Sequence, residues 1–214
     1  KETFIFLSKL IKTKKHKVSL LDLGCAKGEF LFYLEKNFKG KIELMGVDYS
    51  SKLIKEAKGY NFKNKIQFLK NDAEKIKINK RFDYIVASGL VSYFDYIGIF
   101  LKNSLKHLKK GGKLIILDNF NKYDVDVIVR YRDNYNKFKN FEKGWNLHSI
   151  GTIKKIINPK KYKISFKKFN LSFKLKKRKD AMRSWQVNLD KKKMFMNGLS
   201  QIFEIEALII TKSS

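Results

Sequence analysis

Residues Val18–Gly28 read VSLLDLGCAKG. An apolar run enters an aspartate, and two glycines four positions apart then frame small residues and a lysine. The chain has only twelve glycines in 214 residues, so a pair straight after a buried strand asks for a backbone reason. A strand that ends in Asp-x-Gly-x-x-x-Gly and enters a helix makes a tight turn at the carboxyl edge of a parallel sheet. Gly24 and Gly28 there allow backbone conformations and a close approach that side chains would block. Open α/β sheets bind ligands at that edge, where strand order reverses.

Strands and helices alternate on either side of this loop. Phe4, Leu7, Leu10 and Ile11 recur at helical spacing and predict an amphipathic lead-in helix over residues 2–14. Val18–Leu23 is a first strand, Glu29–Phe38 a helix and Ile42–Val47 a second strand. Ser50–Gly59 follows as a helix with a serine cap and a glycine stop. Lys65–Leu69, Phe82–Ala87 and Lys113–Leu117 are the next three strands, with a helix over Phe94–Leu108 before the last. Short apolar strands separated by helices predict a parallel sheet with right-handed crossovers.

After Asp118 the pattern changes. Residues 120–147 are aromatic, charged and weakly periodic, which predicts a helix-containing excursion. Ser149 is placed to cap a helix to Ile157, closed by Pro159. In YKISFKKFNLSFKL the apolar residues are even-numbered at Tyr162, Ile164 and Phe166 but odd-numbered at Phe169, Leu171 and Phe173, so a bulge is expected near Lys167–Lys168. SWQVNLDKKKMFMNG reads as a β-hairpin turning at Asp190–Lys193, and Phe203–Ile210 as a last buried strand. The expected architecture is one domain over residues 1–214, an α/β, doubly wound, mostly parallel seven-stranded sheet with a β-hairpin insertion near the C-terminus. Its parts are a lead-in helix (1–16), a cofactor-binding half (17–118), an acceptor or lid excursion (119–148) and C-terminal strands with the hairpin (149–214).

Composition narrows the function. Lone Cys25 excludes an internal disulfide and a multi-cysteine zinc site. The apolar runs are too short to span a bilayer, and no signal segment opens the sequence, so a cytoplasmic location is expected. The chain opens at Lys1, which leaves room for preceding residues or a preceding domain. The formal charge of +28 has two readings. One is a polyanionic partner such as RNA, a nucleotide-linked substrate or an anionic membrane. The other is the codon bias of an AT-rich genome, which the abundance of Lys, Asn, Ile and Phe favours. Arginine, the better match to phosphate, occurs only at Arg81, Arg130, Arg132, Arg178 and Arg183.

Two aspartates extend the glycine signal. Asp48 ends the second strand, where a carboxylate can accept two hydrogen bonds from a ribose diol. Asp72 follows the third strand within FLKNDAEKI. Either could be a helix cap alone, but signals at the ends of three successive strands exceed what capping explains. The set LLDLGCAKGEF, MGVDYS, NDAEKI, FDYIVASGLVSYF and LKKGGKLII, in this order, resembles class I S-adenosylmethionine-dependent methyltransferases over about Val18–Leu117. A nicotinamide or flavin dehydrogenase would instead want a glycine where Ala26 stands.

The resemblance implies S-adenosyl-L-methionine as cofactor, with S-adenosyl-L-homocysteine as product. It implies that Asp22, Gly24, Cys25, Ala26 and Gly28 shape the pocket for the methionine end, and that Asp48, with Tyr49 beside it, holds the ribose hydroxyls. It also implies that Asp72 meets the adenine amino group, the backbone near Ala73 the ring, and Ser88 the sulfonium.

Methyl transfer from a sulfonium is an in-line displacement, so the protein must align donor and acceptor and remove a proton from an oxygen acceptor. The Asn/Asp-Pro-Pro-aromatic signature of base-amino methylation is missing after strand four. No His, Cys, Asp and Glu cluster has metal-ligand spacing, so no metal is expected. His148, in GWNLHS, is the first candidate base, with Tyr93 and Asp118 behind it. The expected activity is methyl transfer to oxygen of a small-molecule or saccharide acceptor, anionic ones included. An RNA methyltransferase is the alternative, supported by the charge and the basic run Lys174–Lys179. A non-catalytic binding protein of the same fold is a second alternative.

Overall fold

The computed structural model describes residues 1–13, 16–60, 66–132 and 140–213. Lys14 and Lys65, the predicted limits of one helix and one strand, and residues 133–139 of the excursion lie outside the described residues. In chain order the elements are α1 (Glu2–Leu10), β1 (Val18–Leu23), α2 (Glu29–Phe38), β2 (Ile42–Asp48), α3 (Ser51–Lys58), β3 (Gln67–Lys70) and β4 (Phe82–Ser88). A 3-10 turn at Val91–Tyr93 leads to α4 (Ile97–Lys106) and the long β5 (Leu108–Asn121). Short strands β6 (Arg130–Tyr131), β7 (Glu142–Lys143) and β8 (His148–Ser149) precede α5 (Ile150–Ile156) and β9 (Tyr162–Lys168). The chain ends with β10 (Trp185–Leu189), β11 (Lys192–Met196), β12 (Ile202–Phe203) and β13 (Ile205–Lys212).

The central sheet runs β3-β2-β1-β4-β5-β13-β9, with β8 paired to β5 at its end. Strands β1 to β5 are parallel, and β13 lies antiparallel between β5 and β9. Every residue of β1 is buried because the sheet is covered on both faces, the condition under which a strand reads as a continuous apolar run. Leu20, Leu44, Val86 and Ile115 pack with α1, α2 and α3 on one face. Leu21, Met45, Ile85 and Ile116 pack with α4 and α5 on the other. Strand order reverses at β1, so the Gly24–Gly28 loop opens at the switch point.

Local chemistry explains the helix ends. Ser50 accepts from Leu53 N, and Ser149 accepts from Gly151 N and Thr152 N, as serine caps do. The predicted helix from Phe94 begins only at Ile97, because Val91–Tyr93 form the 3-10 turn and Tyr96 is extended. β5 runs beyond the predicted Leu117 to Asn121, pairing with β13 through Asn119.

Two sequence expectations are corrected. No bulge interrupts β9: its register with β13 is continuous from Tyr162 to Lys168. The apolar phase slips because the chain changes face there. Tyr162, Ile164 and Phe166 pack on the α4–α5 side, whereas Phe169 and Leu171 pack on the α1–α2 side. The excursion contains no helix among the described residues. It is held by the β6–β7 pair and a bridge between Val127 and Leu147. The hairpin turns tightly at Asp190–Lys191, both at positive φ, and with β12 forms a separate three-stranded sheet. Among the described residues no helix is long and apolar enough to cross a membrane.

Candidate active site

The loop after β1 is built from backbone bonds. Gly24 N and Cys25 N both donate to Val47 O, at 2.8 and 2.9 Å, and Gly28 N donates to Cys25 O at 2.8 Å. Gly24, Ala26 and Gly28 take φ of +74°, +46° and +77°, in the left-handed region that glycine enters without strain. A Cβ on Gly28 would lie 2.8 Å from the Phe68 ring, so that position is closed to a side chain by packing as well. Cys25 turns its thiol into the core, where burial, reinforced by Asp22 and Asp48, pushes its pKa up. Its part in the loop is played by its backbone.

Asp48 ties this loop to β2. One carboxylate oxygen accepts from Ala26 N at 2.9 Å and the other from Ser50 N at 2.8 Å. Each oxygen keeps lone-pair capacity for a further donor. Tyr49 beside it is 77 % exposed. Asp22 is buried and makes no hydrogen bond among the described residues. Burial, and then the charge of Asp48, pushes its pKa to about 8. A cation beside this carboxyl would reverse that balance.

Asp72 accepts from Glu74 N at 2.9 Å through one oxygen, and Ala73 is buried against the sheet. Ser88 ends β4 exposed, and Gly89 N donates to Leu117 O at 2.9 Å. The sequence-predicted cofactor residues therefore meet along one carboxyl edge, from β3 across β2 and β1 to β4.

Next to Ser88 and Gly89 lies a cavity of about 180 Å³ between the ends of β4 and β5. Tyr93, Trp145 and Phe203 are its aromatic lining, and Asp118 and Asn119 its polar lining at β5. Thr3 of α1 closes one side. Trp145 and Phe203 pack edge to face at 5.8 Å. Asp118 is 5 % exposed. Its carboxylate accepts from Ser92 N at 3.2 Å and Asn119 N at 3.0 Å. Burial outweighs these bonds and pushes its pKa to about 6. Among the described residues no cluster of three His, Cys, Asp or Glu side chains could hold a metal ion.

His148 does not reach this cavity. It is 2 % exposed, and its Nε2 lies 3.0 Å from Val91 O. Burial lowers its pKa against the opposing pull of the Val91 and Phe94 carbonyls. The imidazole props the 3-10 turn from inside the core, so the expectation that it faces the transferred methyl group is corrected. Tyr93 and Asp118 do line the cavity. Asn119 opens the excursion expected to serve the acceptor, and Thr3 lies in the lead-in helix, but sequence reasoning did not single out Thr3, Asn119 or Phe203 individually; they come from distant parts of the chain.

A Rossmann-like sheet with one antiparallel strand next to β5, and acidic residues at the ends of β1 and β2, defines the fold of S-adenosylmethionine-dependent methyltransferases. Residues 14–186 match the family described as "Methyltransferase domain", and the chain belongs to this family. An S-adenosylmethionine-dependent methyltransferase from Mesorhizobium loti shares the fold at a TM-score of 0.63 and 14 % identity, over 99 % of this chain and 98 % of that one. Another from Clostridium acetobutylicum does so at 0.60 and 16 %, over 100 % and 91 %. Two curated relatives align over part of the chain. A ubiquinone biosynthesis O-methyltransferase from Pelagibacter ubique is 35 % identical over 101 residues, 46 % of this chain and 41 % of the relative. A malonyl-[acyl-carrier protein] O-methyltransferase from Priestia megaterium is 28 % identical over 98 residues, 46 % of this chain and 35 % of the relative. The match thus spans about two fifths of these relatives' lengths.

Proposed function

We propose that this chain binds S-adenosylmethionine over the Gly24–Gly28 loop and methylates a hydroxyl oxygen of a small molecule held in the cavity at β5. The observation that carries this reading is Asp118. It is a buried carboxylate in a cavity adjoining Ser88, with a pKa of about 6, so it is mostly ionised at pH 7 yet basic enough to take a proton.

The residues fit the cofactor by their chemistry. The unbonded carboxyl of Asp22 suits the cofactor's ammonium group, and Asp48 has lone pairs for the ribose hydroxyls. Asp72 and the backbone at Ala73 suit the adenine. When bound, the cofactor supplies a methyl group on a positively charged sulfur that leaves as a neutral thioether. With the cofactor bound, Asp118 would accept the hydroxyl proton while the methyl group passed from sulfur to the acceptor oxygen, which balances as a methyl ether, S-adenosylhomocysteine and a protonated carboxyl. The aromatic side chains hold the acceptor and exclude water. The curated relatives named above are O-methyltransferases, which supports oxygen as the acceptor atom.

The test is calorimetry with S-adenosylmethionine, followed by incubation with methyl-labelled cofactor and separate metabolite and RNA extracts. Label entering a small-molecule ether supports the reading. Label entering RNA, or cofactor binding with no transfer to any fraction, overturns it.

A further inference from the structure

Asp118 and Asn119 are consecutive in an extended strand, so their side chains leave opposite faces of the sheet. Asp118 turns toward Ser92, whereas Asn119 sits opposite Ile205 of β13. Both nevertheless line the cavity. Asn119 is 3 % exposed, and its Nδ2 is buried without a hydrogen-bond partner. The other end of the amide makes no hydrogen bond among the described residues. Buried side-chain amides are ordinarily paired, and an amide whose two ends exchange by a flip can serve as donor or acceptor. The cavity lining also contains no Lys or Arg, although the chain carries a formal charge of +28. A substrate anion there would face Asp118 with no compensating cation from the protein.

We propose that Asn119 is a specificity residue that bonds a second oxygen of the acceptor while Asp118 takes the proton from the oxygen being methylated. This rests on the methyltransferase reading given above. The acceptor class that satisfies both side chains and the aromatic lining is a small, uncharged ring bearing a hydroxyl with a second hydroxyl or carbonyl oxygen on the neighbouring carbon. About 180 Å³ accommodates a single substituted ring.

The test compares catechol with phenol as methyl acceptors in the wild-type chain, Asn119→Leu and Asn119→Ala, reading kcat and KM separately. The wild type should favour catechol at least tenfold in kcat/KM. Both variants should bring that ratio close to one, mainly through KM for catechol. Neither variant should lower Tm, and Asn119→Leu should raise it, because an unpaired buried amide is removed. An unchanged ratio overturns the proposal, as does a Tm lowered in both variants, which would show an amide bonded in the folded state. A wild type that binds cofactor but methylates neither ring overturns the acceptor class. A chain that does not bind cofactor at all overturns the underlying methyltransferase reading instead.

Discussion

Replacing Asp118 with asparagine preserves the size of the side chain and removes its charge, which separates proton transfer from packing. The carboxyl is 5 % exposed, and its pKa stands at about 6 rather than 3.8. That gap corresponds to a penalty of about 3 kcal/mol on the charged form, set by burial and partly offset by the Ser92 and Asn119 amides. Because the folded-state pKa is raised, the penalty is absent below pH 3.8, where both folded and unfolded chains are protonated. It grows as the unfolded chain ionises and is complete above about pH 6. Asp118→Asn should therefore be about as stable as wild type at roughly pH 3.5 and more stable at about pH 8, by up to about 3 kcal/mol. Catalysis should move the other way. A positioned base contributes on the order of a hundredfold to ten-thousandfold, so kcat should fall at least a hundredfold while cofactor affinity stays within a factor of two. Wild-type turnover should drop tenfold per pH unit below about 6, and the variant should lack that limb. Labelled-methyl transfer to catechol across pH 5–9, with denaturant melts at the two pH values, measures both. A variant that keeps a tenth of wild-type turnover, or retains the acid limb, refutes the assignment of Asp118 as base.

Three further outcomes are expected. Asp48→Ala removes the acceptor for two loop amides and, on the proposed reading, for the ribose hydroxyls. S-adenosylmethionine should then bind more weakly by roughly 2–4 kcal/mol, and unchanged affinity in calorimetry would take Asp48 out of the site. His148→Ala should cost about 1–3 kcal/mol of stability, since Val91 O loses its buried partner. Turnover per folded molecule should stay within threefold, and a hundredfold rate loss at unchanged Tm would restore His148 as a base. RNA should bind weakly, without sequence preference and with steep salt dependence, if the basic run Lys174–Lys179 acts only as surface charge. Tight binding of one RNA at physiological salt would favour the RNA reading.

The residues proposed to hold the cofactor are placed by the amino-acid sequence because their positions are set locally. Asp22, Gly24, Gly28, Asp48 and Asp72 each lie at or just beyond the end of a strand, and strand periodicity plus turn chemistry place such residues at the carboxyl edge. The same locality makes the Ser50 and Ser149 caps and the β10–β11 hairpin readable. The phase slip after Phe166 is real, but the pattern alone does not distinguish a bulged strand from a chain that changes face.

His148 shows where local reading stops. Its position before a capped helix brings it near the sheet edge, but only packing decides that the imidazole points inward to Val91 O rather than into the cavity. The acceptor half depends on contacts of this kind throughout. Thr3, Asn119, Trp145 and Phe203 are separated by up to about 200 positions, and they meet because β13 inserts antiparallel beside β5 and carries β12 with it. Sequence by itself therefore determined the parallel α/β frame and the carboxyl edge where Asp22, Asp48 and Asp72 lie, whose geometry follows from turns and side-chain alternation within single β-α units. Tertiary structure alone decided which carboxylate is buried in the cavity and which amide is left unpaired there, because burial and hydrogen-bond satisfaction depend on neighbours that the chain supplies from its far end.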